Sequence, residues 1–164
     1  MRTPAPQTAP IITIVRCTVT NPVIRQGEDH DLQSLCRLDQ EARIESDRRE
    51  LVREAILEKR CWVLESEKDI LGYGILTHGF FGRSFLELIY IDELQRSKGY
   101  GPTLISFLEA HSRSSDFFTS TNLSNAHMQH VLQKLGYEQS GIINNLDPGD
   151  PEIVYVKRSV APNY

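Results

Sequence analysis

The chain has 164 residues, 40% of them hydrophobic and 24% charged, with a net charge of -4. That is enough chain for one full core. The acidic balance argues against a broad nucleic-acid surface, and no apolar run approaches the roughly 20 residues needed to span a membrane. Residues 1–10 carry one Arg, several prolines (Pro4, Pro6, Pro10) and no apolar stretch of the kind a secretory signal needs, so they read as a flexible leader. A single domain is expected over residues 11–164, with its body from Ile11 to Arg158. The expected setting is a cytoplasmic monomer or homodimer with no nucleic-acid or membrane partner. The three cysteines, Cys17, Cys36 and Cys61, are far apart and lack metal-ligand spacing. They read as reduced, mostly buried thiols.

Ile11 to Val19 is rich in β-branched residues and predicts a strand that resumes at Val23-Ile24 after Asn21-Pro22. Asp29 or Asp31 can cap a helix with Leu32, Leu35, Cys36 and Leu38 inward, and Ser46 a second with Leu51, Val52, Ala55 and Ile56 as its apolar stripe. Cys61–Glu65 and Ile70–His78 read as a hairpin around Glu67-Lys68-Asp69. Ser84–Ile91 (SFLELIYI) reads as a strand buried on both faces for most of its length. A polar, glycine-ended segment follows, then a helix with Pro102 in its first turn and Leu104, Ile105 and Leu108 inward. Asp116–Ser120 is a short strand. Ser124 can cap a helix with Met128, Val131, Leu132 and Leu135 on one stripe, ended by Gly136. Tyr137–Asn144 and Glu152–Lys157 are strands joined by the turn-rich NLDPGDP. The Ser84–Ser120 passage implies one parallel pair with a right-handed crossover. The fold class expected is a mixed, mainly antiparallel α/β sheet with that one crossover and helices on both faces.

The strongest chemical signal is Arg96-Ser97-Lys98-Gly99-Tyr100-Gly101, between a buried strand and a helix start. Glycines there let the backbone turn tightly and aim its N–H groups outward. The helix N-terminus adds positive partial charge, and Arg96 and Lys98 add full charges, which suits a phosphate or pyrophosphate. The Gly-Lys-[Ser/Thr] ending of a Walker loop is missing, as is the glycine spacing of a Rossmann fingerprint.

The stretch I-D-E-L-Q-R-S-K-G-Y-G resembles the acetyl-CoA signature of GNAT N-acetyltransferases, with Ile91, Arg96, Gly99 and Gly101 in place and Glu93 where a Pro is usual. S-N-A-H-M-Q-H-V-L-Q-K-L-G-Y is similar to the family's later helix, matching at Asn125, Lys134, Gly136 and Tyr137. The C-terminal G-I-I-N-N-L-D-P-G-D-P-E-I-V-Y, with T-S-T-N-L-S-N, resembles a subgroup of small bacterial members. The resemblance implies the GNAT acyl-CoA N-acyltransferase fold, acetyl-CoA as co-substrate and a primary amine as acceptor. It implies that the N–H groups of Arg96, Ser97, Lys98, Gly99, Tyr100 and Gly101 hold the CoA pyrophosphate. The strand edge Ile89-Tyr90-Ile91 would pair with pantetheine like an added strand. The Ile91 N–H would stabilise the oxyanion as the amine attacks.

Several roles stay open at this point. Asn125 either binds the pantetheine arm or caps its helix. Glu87, on the face of Ile89 and Ile91 by strict alternation, is either the general base or the partner of a nearby Arg. His127, Tyr90 and Tyr155 are weaker base candidates. Many family members carry a Tyr, the acid for the leaving thiolate, where this chain has Leu132. Asp147, Asp150 and Glu152 either attract a cationic amine or serve their turn. Phe80-Phe81 either lines the acceptor pocket or packs. The histidines show no metal-ligand spacing, so no metal is expected. Two functions compete: direct acetyl transfer from acetyl-CoA to a primary amine, and a non-catalytic acyl-CoA-binding sensor on the same fold.

Overall fold

A computed structural model describes residues 21–67 and 69–158. The expected leader, the Ile11–Val19 strand, Cys17 and Lys68 lie outside the described residues. Seven strands form one sheet: β1 (Val23–Gln26), β2 (Cys61–Ser66), β3 (Asp69–Phe80), β4 (Arg83–Ile91), β5 (Asp116–Asn122), β6 (Glu138–Asp147) and β7 (Asp150–Arg158), in the order β1-β2-β3-β4-β5-β7-β6. Only the β4–β5 pair is parallel. The helices are α1 (Leu32–Leu38), α2 (Gln40–Ile44), α3 (Ser46–Leu57), α4 (Tyr100–Ala110) and α5 (Ala126–Lys134). The mixed sheet with one parallel crossover is the fold class expected from the sequence. No helix among the described residues is long and apolar enough to cross a membrane.

Two cores lie on the two faces of the sheet. On one, Leu104, Ile105 and Leu108 of α4 and Leu132 of α5 pack against Leu64, Leu76, Leu86 and Phe117. Gly74 makes this possible, because a Cβ there would meet Leu108 Cδ1 at 2.8 Å. On the other, Leu35 of α1 and Val52, Ala55 and Ile56 of α3 pack against Val63, Tyr73, Ile75 and Leu88. Burying each such side chain contributes about 1.5–3 kcal/mol.

The structure corrects the local expectations in four places. Helix α2 was not foreseen. Its N-cap is the fully buried Asp39, whose side chain accepts from the N–H groups of Glu41 and Ala42 and from the Tyr73 hydroxyl at 2.6 Å. Ser46 is the first residue of α3 rather than its cap; Glu45 stands at the N-cap and makes no side-chain bond. Asp31 acts one step earlier than a cap of α1, closing a capping box with Glu28 around the 3-10 turn Asp29–Asp31. Asn125, not Ser124, caps α5, accepting from the Met128 N–H at 3.1 Å. Strand β4 contributes to both cores, Leu86 to one and Leu88 to the other, with Glu87 exposed between them.

Candidate functional site

The site begins where β4 and β5 part. Their parallel ladder covers only Ser84–Leu86 against Phe117–Thr119. The Thr119 hydroxyl donates to the Leu86 carbonyl at 3.1 Å at the point of divergence. Beyond it β5 continues to Asn122 against β7, and β4 continues to Ile91 against β3. Between them the two strands leave an opening, with the β5-facing edge of residues 87–91 carrying no strand partner among the described residues.

Which backbone groups face that opening follows from alternation. The Asp92 N–H donates to the Leu71 carbonyl of β3 at 2.9 Å. Tyr90 and Leu88 share its parity and turn their N–H and C=O groups to β3, whereas Ile89 and Ile91 turn theirs to the opening. So of the expected edge Ile89-Tyr90-Ile91, two residues present backbone groups and Tyr90 does not. Its ring stacks 6.3 Å from that of Tyr73. Its hydroxyl accepts from the Gln40 N–H, and the Arg96 guanidinium lies 5.5 Å over the ring.

A bulge at Glu87 breaks the alternation. Ile75 pairs with Leu88 and Leu76 with Leu86, so Glu87 has no partner on β3. Leu86 joins one core and Leu88 the other. Ile89 and Ile91 pack on the Leu86 core and Tyr90 on the Leu88 core, so the bulge interrupts the period-two count at Glu87. The Glu87 carboxylate accepts from Arg60 at 2.9 Å.

At the far end of the opening lies the glycine loop. Ser97 has φ 63° and Gly99 has φ 85°, both left-handed. Gly99 is the N-cap of α4, and no acidic residue stands in the helix's first turn. The N–H groups of Ser97, Lys98, Gly99, Tyr100 and Gly101 find no acceptor among the described residues. These free donors, the left-handed turns and the helix dipole make a concavity for an anion. The two cationic side chains are partly occupied. Arg96 Nε donates to the Ile91 carbonyl at 3.1 Å, clamping the strand exit, and Lys98 Nζ to Gln95 Oε1 at 2.8 Å. What the loop offers an anion is thus backbone more than charge.

The remaining predicted residues divide. Asn125 lies just beyond the end of β5; its Oδ1 is the α5 cap, and its amide nitrogen has no partner among the described residues. The Asp150 carboxylate accepts from the Ser124 N–H at 2.9 Å and hydroxyl at 2.6 Å, and Asp147 from Asn122 Nδ2 at 2.7 Å. These two therefore brace the β6–β7 turn against the β5–α5 loop. Glu152, opposite Asn122 at the end of β5, has no side-chain partner among the described residues. Phe80 is not brought to the opening. It pairs with Arg83 at the other end of β4, stacks on Phe85 at 4.7 Å and lies tilted against Phe118 at 5.3 Å. That is about 25 Å of strand away from Ile91. His127, in the first turn of α5, and Tyr155, buried in the core, show no contact with Glu87.

Leu132 is fully buried, so no hydroxyl stands at that point of α5. Cys61 is buried, and burial pushes its thiol up to about 12; burial also raises Cys36. Neither is a ready thiolate at neutral pH. Among the described residues, no group of three or more His, Cys, Asp or Glu is arranged to hold a metal. Two groups escaped the sequence reading. Arg60 could not be matched to Glu87 across 27 residues. The network in which Glu109 accepts from Tyr137 at 2.6 Å and Lys157 at 2.7 Å joins α4 to β7. Burial first, then Glu109, raises the Tyr137 hydroxyl well above its usual range, so it is a proton donor to Glu109 and not an ionised group.

Comparison with known proteins completes the picture. The model of the acetyltransferase (GNAT) family matches residues 30–137. A GNAT-family acetyltransferase from Bacillus cereus ATCC 10987 is 33% identical, with a TM-score of 0.78 over 86% of this chain and 99% of its own. The ribosomal-protein-S18-alanine N-acetyltransferase of Escherichia coli is 17% identical, with a TM-score of 0.73 over 87% of this chain and 97% of its own. A structure described as a streptothricin acetyltransferase from Bacillus anthracis, in complex with acetyl coenzyme A, is 15% identical, with a TM-score of 0.70 over 84% of this chain and 98% of its own. Comparison with curated protein sequences gave no match.

Proposed function

Because the chain belongs to the GNAT acetyltransferase family, we propose that it moves an acetyl group from acetyl-CoA to a primary amine by direct attack in a ternary complex. The observation that carries this reading is the continuity of the opening with the loop: backbone donors at Ile89 and Ile91 run on to five free N–H groups at residues 97–101. A pyrophosphate on the loop would leave pantetheine extended along β4, bonded like an added strand. The thioester carbonyl would then meet a backbone N–H, that of Ile91 in this proposal, which stabilises the oxyanion. Acetyl coenzyme A bound to the Bacillus anthracis protein supports the same ligand here.

Glu87 is proposed as the base. Its bulge frees it from the β3 ladder, and its carboxylate is exposed enough to receive a proton through water, with Arg60 holding it in place. No group replaces the Tyr that many relatives carry at Leu132, so the thiolate would take its proton from water. Glu152 is the loop carboxylate left to attract a cationic amine, since Asp147 and Asp150 are engaged within the loop. The raised thiols of Cys36 and Cys61 favour direct attack over an acyl-cysteine intermediate on either of them.

Glu87→Gln should lower turnover about 100-fold at neutral pH and flatten the rise of rate with pH, with acetyl-CoA affinity unchanged. An unaltered pH–rate profile removes Glu87 from the mechanism. Asn125→Asp separates two roles of one side chain: the carboxylate still caps α5 but loses the amide donor. Thermal stability should hold while acetyl-CoA affinity falls about fivefold to tenfold, the value of one hydrogen bond; undiminished affinity leaves Asn125 as a cap alone. The function itself is tested by thiol release from acetyl-CoA across a panel of amines. Release on one amine class supports the enzyme. Binding without release on any of them supports the sensor alternative, which the core leucine at position 132 favours.

A further inference from the structure

A second cavity, of about 540 Å³, lies at the other end of α4 from the glycine loop. The helix begins at Tyr100 and ends at Ala110, so the two sites are separated by its length, about 16 Å. The cavity is lined by Glu58, Lys59, Arg60, Trp62, His111 and Arg113, among others. Its size falls within the range of small-molecule sites.

Two features of its wall select a ligand. One is aromatic. Trp62 is only partly buried, packed edge-on against Phe107 at 5.1 Å and 4.7 Å from His111, whose ring lies 4.1 Å from Phe107. The other is cationic. Arg60 is committed to Glu58 at 2.6 Å and Glu87 at 2.9 Å. Lys59 and Arg113 have no carboxylate within ion-pair distance among the described residues. His78 also borders the space; burial, and then the charge of Arg113, lower its pKa, so it adds no charge at neutral pH. A neutral ring would leave two cations uncompensated. A bare inorganic ion would leave Trp62 wet and most of the space unfilled. An acid on a flat apolar body answers both, its head group on Arg113 and Lys59 and its ring on Trp62.

We infer that this cavity is a second binding site, for a small aromatic carboxylate or phosphate, separate from the acyl-donor loop. The inference does not rest on the proposed function.

Trp62 is the only tryptophan of the chain, so its fluorescence reports on this cavity alone. The full chain is titrated with benzoate, phenyl phosphate, benzyl alcohol and inorganic phosphate. A saturable change in Trp62 emission is expected with benzoate or phenyl phosphate; which of them binds more tightly tells a carboxylate head from a phosphate one. Benzyl alcohol and inorganic phosphate should bind at least tenfold more weakly. The double variant Lys59→Gln, Arg113→Gln, at two exposed positions, should keep its melting temperature and weaken the acid at least tenfold. The inference is overturned if neither acid gives a saturable response, if benzyl alcohol matches the acids, or if the folded double variant binds as the parent does.

Discussion

Gly99→Val should cost the protein about 30- to 100-fold in acetyl-CoA affinity while leaving it folded. Gly99 has φ 85°, and a branched side chain held in that region carries a strain of order 1–3 kcal/mol. The loop relieves the strain by leaving the left-handed region, which swings the N–H groups of residues 97–101 out of register with a pyrophosphate. A loss of about 2–3 kcal/mol in binding corresponds to that range of affinity. The fold itself is not at stake, since a Cβ at Gly99 meets no protein atom within 4 Å. Calorimetric titration checks affinity, and thermal unfolding checks the fold. Gly99→Ala should fall between the two, having the left-handed strain without the branch. Full affinity in a folded Gly99→Val would mean that the phosphates sit elsewhere.

Asp39→Ala should have the largest effect on stability, about 3 kcal/mol, or about 10 °C in melting temperature for a chain of this size. Asp39 is fully buried and satisfies three donors: the N–H groups of Glu41 and Ala42 and the Tyr73 hydroxyl. Arg48 Nε lies 3.2 Å from it. Removing the carboxylate uncaps α2, leaves the buried Tyr73 hydroxyl unpaired and takes away the charge facing Arg48. Burial first, then Asp39, raises the Tyr73 hydroxyl well above its usual range, so it stays a donor at any working pH. Tyr73→Phe should cost only about 1 kcal/mol, because Asp39 keeps its other partners. Equal melting temperatures for Asp39→Ala and the parent would show that α2 is not held by this network.

The contrast between Gly99 and Asp39 marks what could be read in advance. The loop from Arg96 to Gly101 was legible because its glycines, its position between strand and helix and its charges all lie within six consecutive residues. Asp39 gave no such signal: α2 is five residues long, too short for a hydrophobic period, and its cap is fixed by Tyr73, 34 positions away. The bulge at Glu87 was hidden for a related reason. Nothing in FLELIYI marks a residue without a partner, and a plain count of two passes through Glu87 as if β3 paired it. The contest between Ser124 and Asn125 for the α5 cap was decided by Asp150, which takes both the Ser124 N–H and its hydroxyl. Asp150 reads from sequence as either an acceptor-site carboxylate or a turn residue, because its partner lies in another loop. Local geometry was written in adjacent residues; pairings across the sheet and between loops were not.

Calorimetric titration of the full chain with acetyl-CoA and CoA, with ATP as the control, tests acyl-donor binding most directly. Saturable binding of both is expected, with ATP much weaker, because the ladder along Ile89 and Ile91 serves pantetheine and ATP has none. No binding of either thioester or thiol, or equal binding of ATP, would contradict it.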